Sequence, residues 1–130
     1  MKRQITELLE AGHIRHSISQ RAAPVLFVKK KRTEKLRMCI DYRHLNKNTI
    51  KDAMPLASID ELRQHLRLAR RFTALDMMSG YYQIHIDAES IRYTAFNCRY
   101  GHFEWVVMPF GLTNAPATFS RWINSILSEL

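Results

Sequence analysis

YTAFNCRYGHFEWVVMPFGLTNAPATF, from Tyr93 to Phe119, holds the signals that decide the fold. Arg92–Cys98 and His102–Val107 are rich in aromatic and β-branched residues, with Tyr100-Gly101 between them, which predicts two strands joined by a turn. The segment Met108 to Pro116 then breaks the pattern with Pro, Gly and Asn. Asn114 stands where a helix N-cap is expected, and Pro116 suits a first helical turn. From there Phe119, Trp122, Ile123, Ile126, Leu127 and Leu130 recur at i, i+3, i+4, i+7, i+8 and i+11, the stripe of an amphipathic helix. Strands feeding a helix with antiparallel turn chemistry predict an α+β fold, an antiparallel sheet with packed helices.

Working towards the N-terminus, Tyr82, Ile84 and Ile86 alternate with Gln83 and His85, the pattern of a half-buried strand. Phe72–Met77 is expected to be another strand, with Asp76 near its end. Ser58 and Glu61 have the spacing of a capping box after Pro55, and Ile59, Leu62 and Leu66 supply the stripe of the helix that follows. Val25–Val28 and Leu36–Tyr42 flank the charged run KKKRTEK, which predicts a β-hairpin with a cationic tip. Ile5, Leu8 and Leu9 share a helical face, and Gly12 is a natural stop.

The 130 residues suffice for one domain, and 46% apolar residues supply a core. The net charge of +8 is lopsided: residues 1–51 carry 13 Lys/Arg against 4 Asp/Glu, and residues 52–130 carry 7 against 8. A basic half joined to a near-neutral half suits a polyanion on one face. Cys39 and Cys98 lack CxxC spacing, and the six histidines are scattered, so neither a disulfide scaffold nor a zinc site is expected. The first residues lack the apolar run of a signal peptide, and no run reaches transmembrane length, so a soluble intracellular protein of unassigned compartment, without a membrane partner, is expected.

Four blocks together are specific: EAGHIRHSIS at Glu10–Ser19, APVLFVKKKRTEKLRMCIDYRHLNKNT at Ala23–Thr49, FTALDMMSGYYQI at Phe72–Ile84, and the opening stretch continued to Phe119. In this order and spacing the chain resembles the reverse transcriptase of retroelements, most closely the gypsy-like class of long-terminal-repeat retrotransposons. The resemblance implies the fingers and partial palm of a right-hand polymerase, with about 1–71 mainly fingers and about 72–130 the palm start, nucleotide-site loop and C-terminal helix. It implies template-directed DNA synthesis from deoxynucleotides on an RNA or DNA template-primer, with two Mg2+ (or Mn2+) ions.

By that resemblance Asp76 is the first catalytic, metal-binding aspartate and the Met77 carbonyl a second oxygen ligand. Such oxygens suit hard divalent ions, which in two-metal phosphoryl transfer activate the attacking hydroxyl and stabilise the leaving group. Tyr81 would lie under the sugar of the incoming nucleotide and exclude a 2′-hydroxyl by bulk. Lys30 and Arg37 would contact its triphosphate, the Arg as a bidentate fork and the Lys as a point charge. Phe110 and Gly111 would lie near the base, and Asp41, Arg43, Asn46 and Pro116 along the template and primer, with Tyr42 and Leu45 shaping the same path. RTEK replaces the family's common Asp-Gly-like turn, and Gln20-Arg21 its usual Pro-Trp. The family's second acidic motif, an aromatic-x-Asp-Asp turn, does not occur in these residues. The expectation is therefore an N-terminal fragment, inactive alone and inclined to pair with the remainder of a polyprotein or with itself. The alternative is a co-opted nucleic-acid-binding module that keeps the basic hairpin and has lost chemistry.

Overall fold

The computed structural model describes residues 1–29, 36–54, 58–67 and 69–128. In chain order the elements are α1 (Lys2–Glu10), β1 (Ile14–His16), β2 (Ala23–Lys29), β3 (Leu36–Ile40), α2 (Arg43–Lys47), α3 (Ile59–Leu66), 3-10 turns at Gly80–Gln83 and Ile91–Thr94, β4 (Phe96–Cys98), β5 (Gly101–Trp105) and α4 (Ala115–Leu127). The five strands form one sheet in the order β1-β5-β4-β2-β3. Three junctions are antiparallel, as expected, while β2 runs parallel to β4 through Ala23↔Phe96 and Pro24↔Asn97. The α+β class stands, and the sheet is mixed.

The core gathers where the sheet meets α1. Ile5, Ile14, Tyr42, Phe96, Phe103, Trp105 and Val107 form one buried cluster. Phe96 and Phe103 face each other across the β4–β5 ladder and are 0% and 1% exposed, so they carry much of the apolar burial that offsets chain entropy. Gly12 closes α1 with a left-handed φ of +69°, as its position predicts. Beyond Val25 the β2–β3 hairpin moves outward, with Met38 still packed against the core while Phe27, Val28 and Leu36 are about half exposed. Its cationic tip, residues 30–35, lies outside the described residues, as does Pro55.

Three expected strands are corrected. Phe72–Met77 pairs with no described residue, and Phe72 and Leu75 are 69% and 78% exposed. Strand propensity creates no strand without a ladder partner. At Tyr82–Ile86, Gly80–Gln83 winds into a 3-10 turn, and among the described residues an isolated bridge from His85 to Val107 is what remains of the strand. The start of Arg92–Cys98 also winds into 3-10. There the Thr94 hydroxyl donates to the Ile91 carbonyl (2.7 Å) and accepts from the Trp105 N–H (2.9 Å), a local alternative to the ladder. Periodicity missed β1, three residues long, and α2, which has no apolar stripe.

α4 begins where expected, with Asn114 at the N-cap, yet the Asn114 side chain does not cap the helix. It accepts from the Asp52 N–H (3.0 Å) and donates to the Ile50 carbonyl (2.9 Å), tying the segment after α2 to the start of α4. The Arg121–Asp52 ion pair holds the same junction, and the Asp52 carboxyl lies below the ordinary carboxylate range because the Arg121 guanidinium donates to it.

Candidate nucleotide and metal site

Asp76 ends the unpaired segment that precedes the first 3-10 turn. Its side chain is exposed and bonds no described residue, and Met77 beside it is half-buried. The chain then reverses at Ser79, whose φ of +49° is left-handed and uncommon for a residue with a Cβ. Two bonds hold the reversal: the Tyr82 N–H donates to the Ser79 carbonyl (2.8 Å), and the Gln83 amide donates to the Met78 carbonyl (2.9 Å).

The reversal delivers Tyr81 into an aromatic corner. Its ring stacks on Phe110 (centroids 4.8 Å apart, 29° between planes) and leans on Phe119 of α4 (5.0 Å). Each such pair adds about 0.5–1.5 kcal/mol beyond area burial. Gly80 admits the approach, since a Cβ there would stand 3.0 Å from two Phe119 ring carbons. Phe110 keeps 63% of its surface in solvent, so the corner is open on one side.

Behind Phe110, Gly111 takes a φ of +97°, a conformation that side-chain-bearing residues avoid. Its loop is held by one side chain: the Asn46 amide nitrogen donates to the Gly111 carbonyl (2.8 Å) and its oxygen accepts from the Thr113 N–H (2.9 Å). Both ends of a residue expected along the template are thus engaged within the chain. Asp41 is likewise committed, accepting from the Arg43 backbone N–H (3.2 Å) and Nε (2.8 Å); these bonds bring its carboxyl down to about 2, and they raise the Arg43 guanidinium. Tyr42 between them is buried, and its hydroxyl donates to the Thr94 carbonyl (2.7 Å); burial pushes that hydroxyl up. Pro116 lies in the first turn of α4, exposed.

The structure therefore brings together Tyr81, Phe110 and Gly111 with the Asn46 clamp, and separately pairs Asp41 with Arg43. Lys30 lies outside the described residues, and Arg37 enters only through its backbone, paired with Val28. Sequence reasoning missed Phe119 as the floor of the corner and Asn46 as its brace; the Phe119 position in the α4 stripe was the available signal. Among the described residues no group of three or more His, Cys, Asp or Glu is placed to hold a metal ion. Asp76 offers one unpaired carboxylate, a donor of the right hardness that fits one edge of a divalent-ion site and does not complete it.

Comparison with known proteins identifies the family. The family description "Reverse transcriptase (RNA-dependent DNA polymerase)" matches residues 28–130. The chain is 44% identical, over its whole length, to a retrovirus-related Pol polyprotein from transposon 297 of Drosophila melanogaster, of which it covers 13%. It is 51% identical over 94 residues to an RNA-directed DNA polymerase homolog of Oenothera berteroana, covering 72% of this chain and 66% of the relative. The fold superposes on a foamy viral protease-reverse transcriptase in complex with double-stranded DNA at a TM-score of 0.80, with 28% identity, across 95% of this chain and 22% of that one. The chain spans a small part of most of these relatives, and within that part it belongs to the reverse transcriptase family.

Proposed function

We propose that these residues are the fingers and the beginning of the palm of a gypsy-like retroelement reverse transcriptase, and that the Tyr81 corner receives the incoming deoxynucleotide. The observation that carries this reading is the stack of Tyr81 on Phe110, five residues beyond an unpaired carboxylate. A rigid ring pinned between Phe110 and Phe119 cannot retreat from a 2′-hydroxyl, whereas a free tyrosine could. Phe110 offers its open face to the base, and Gly111 lets the backbone approach closely. Asn46 shapes the template path indirectly, by fixing the Gly111–Thr113 loop. Lys30 and Arg37 complete the reading as contacts to the triphosphate.

Asp76 and the Met77 carbonyl would hold one side of a divalent-ion pair, which when bound supplies charge stabilisation for phosphoryl transfer. Two ions need more oxygens than these residues offer, so the 130 residues alone are expected to make no DNA. The complexes of the foamy viral enzyme with duplex DNA support a template-primer as the nucleic-acid partner.

Primer extension tests the reading. The isolated chain should give none, and the same residues substituted for the matching part of the transposon 297 polyprotein should restore synthesis. In that chimera Asp76→Asn should lower the rate by at least about a thousandfold, on the scale of removing an essential electrostatic contact. Tyr81→Ala should raise ribonucleotide incorporation relative to deoxynucleotide. A chimera that synthesises DNA equally well with Asp76→Asn refutes the metal assignment, and magnesium-dependent synthesis by the isolated chain refutes its incompleteness.

A further inference from the structure

Asn46 and Thr113 of the clamp also line a concavity that contains neither Tyr81 nor Phe110. It has a volume of about 460 Å³, within the range of about 300–1,000 Å³ that holds small organic ligands. Leu45, Ile84, Met108 and Leu112 give it apolar walls, and Thr49 and Thr118 add hydroxyls from α2's end and from α4. Arg21 and Tyr93 line it as well. The Arg21 guanidinium carbon stands 5.4 Å from the centre of the Tyr93 ring, and that of Arg92 stands 5.2 Å from the same centre. Neither arginine forms an ion pair with a described residue. Arg21 lines the cavity, and Arg92 shares the Tyr93 ring with it, so positive charge without an ion pair to a described residue stands beside the apolar walls.

We propose that this cavity binds a small aromatic organic anion, its ring among Leu45, Ile84, Met108 and Leu112 and its charged group on Arg21. A neutral ligand would leave the Arg21 guanidinium unanswered and a cation would be repelled by it, while the apolar walls of Leu45, Ile84, Met108 and Leu112 favour an apolar ring as the body. Because Leu45, Asn46 and Thr113 all line the cavity, an occupant lies against the joint that Asn46 bridges by hydrogen bonds.

Naphthalene-2-sulfonate, titrated into the whole chain and followed by amide NMR shifts, tests the site. Saturable shifts are expected at Thr49, Thr94, Leu112 and Thr118. Naphthalene-2-methanol, of like shape without the charge, should bind at least about tenfold more weakly, the factor lost with one charge-assisted contact. Arg21→Ser, at an exposed position, should weaken the sulfonate by a similar factor. Thr118→Phe, which fills the chamber, should abolish the shifts at the other three residues while far-ultraviolet dichroism stays unchanged. Equal affinity for sulfonate and alcohol, or an unaffected Arg21→Ser, overturns the proposal. So do shifts confined to Phe72, Leu75 and Met78. Shifts at the same four amides from a single-stranded oligodeoxynucleotide, without any from the sulfonate, would overturn it in favour of a nucleic-acid contact.

Discussion

Replacing Asn46 by aspartate changes one group in the side chain and turns a donor into an acceptor. In the native loop the amide nitrogen faces the Gly111 carbonyl at 2.8 Å while the amide oxygen receives the Thr113 N–H at 2.9 Å. Each bond contributes about 1 kcal/mol net, and less where water can replace it, as at the exposed Gly111 carbonyl. Asn46→Ala forfeits both and should cost about 1–2 kcal/mol. Asn46→Asp keeps the Thr113 bond but sets a carboxylate oxygen against a carbonyl oxygen, so at neutral pH it should cost at least as much as the alanine. A carboxyl so placed titrates above its unfolded value: its penalty is complete at high pH and is relieved as pH falls through the folded-state value, where the protonated oxygen donates to Gly111. The aspartate variant should therefore regain stability on acidification relative to Asn46→Ala. Urea unfolding followed by Trp105 and Trp122 fluorescence, repeated from pH 7 to 3, measures the difference. If Asn46→Ala falls within about 0.5 kcal/mol of wild type, the range of an ordinary surface substitution, or if the gap between the variants is flat with pH, the clamp does not work as described.

Gly80→Ala should destabilise by about 1–2 kcal/mol through overpacking, because the new methyl meets the Phe119 ring at 3.0 Å; the double change Gly80→Ala/Phe119→Leu should recover most of it in thermal melts, and a neutral single variant would discount the contact. The Asp41–Arg43 pair should make stability fall with acid. The Asp41 carboxyl is depressed from 3.8 to about 2, so its contribution is complete above its unfolded value and lost as pH drops through that interval. Asp41→Asn should flatten the pH dependence of urea midpoints between about pH 4 and 2, with Asp52 retaining a smaller slope of the same sign; an unchanged profile removes Asp41 as its source.

What could be read from the chain, and what could not, divides by the distance over which each residue finds its partner. α1, the β2–β3 hairpin, the β4–β5 turn and α4 declare themselves because their partners are a few residues away. The parallel β2–β4 junction has no local signature, and neither does the Asn46 clamp, whose partner lies 65 positions further along. Asn114 is the instructive intermediate. It marks the helix start as its type predicts, while its side chain answers Ile50 and Asp52. Phe72–Met77 failed for the opposite reason, since its apolar content promised a strand that no described neighbour completes.

Asp76 separates stability from chemistry within the site. Several polar side chains at the fold's joints hold the chain together: Asn46 braces a loop, Asp41 holds Arg43, Asp52 holds Arg121, and Glu104 in β5 receives Arg15 and Ser17. Asp76 bonds no described residue, yet it precedes a turn in which Ser79 adopts a left-handed conformation that costs about 1–3 kcal/mol. Strain is kept only where surrounding contacts overdetermine it. Here the contacts that do so, Tyr82 on Ser79 and Gln83 on Met78, also fix Tyr81 against Phe110. Ser79→Gly keeps both bonds and relieves the left-handed strain, offset in part by the added freedom of the unfolded chain. Its urea midpoint should therefore equal or exceed that of wild type; a clearly lower midpoint would show that no strain is held at Ser79.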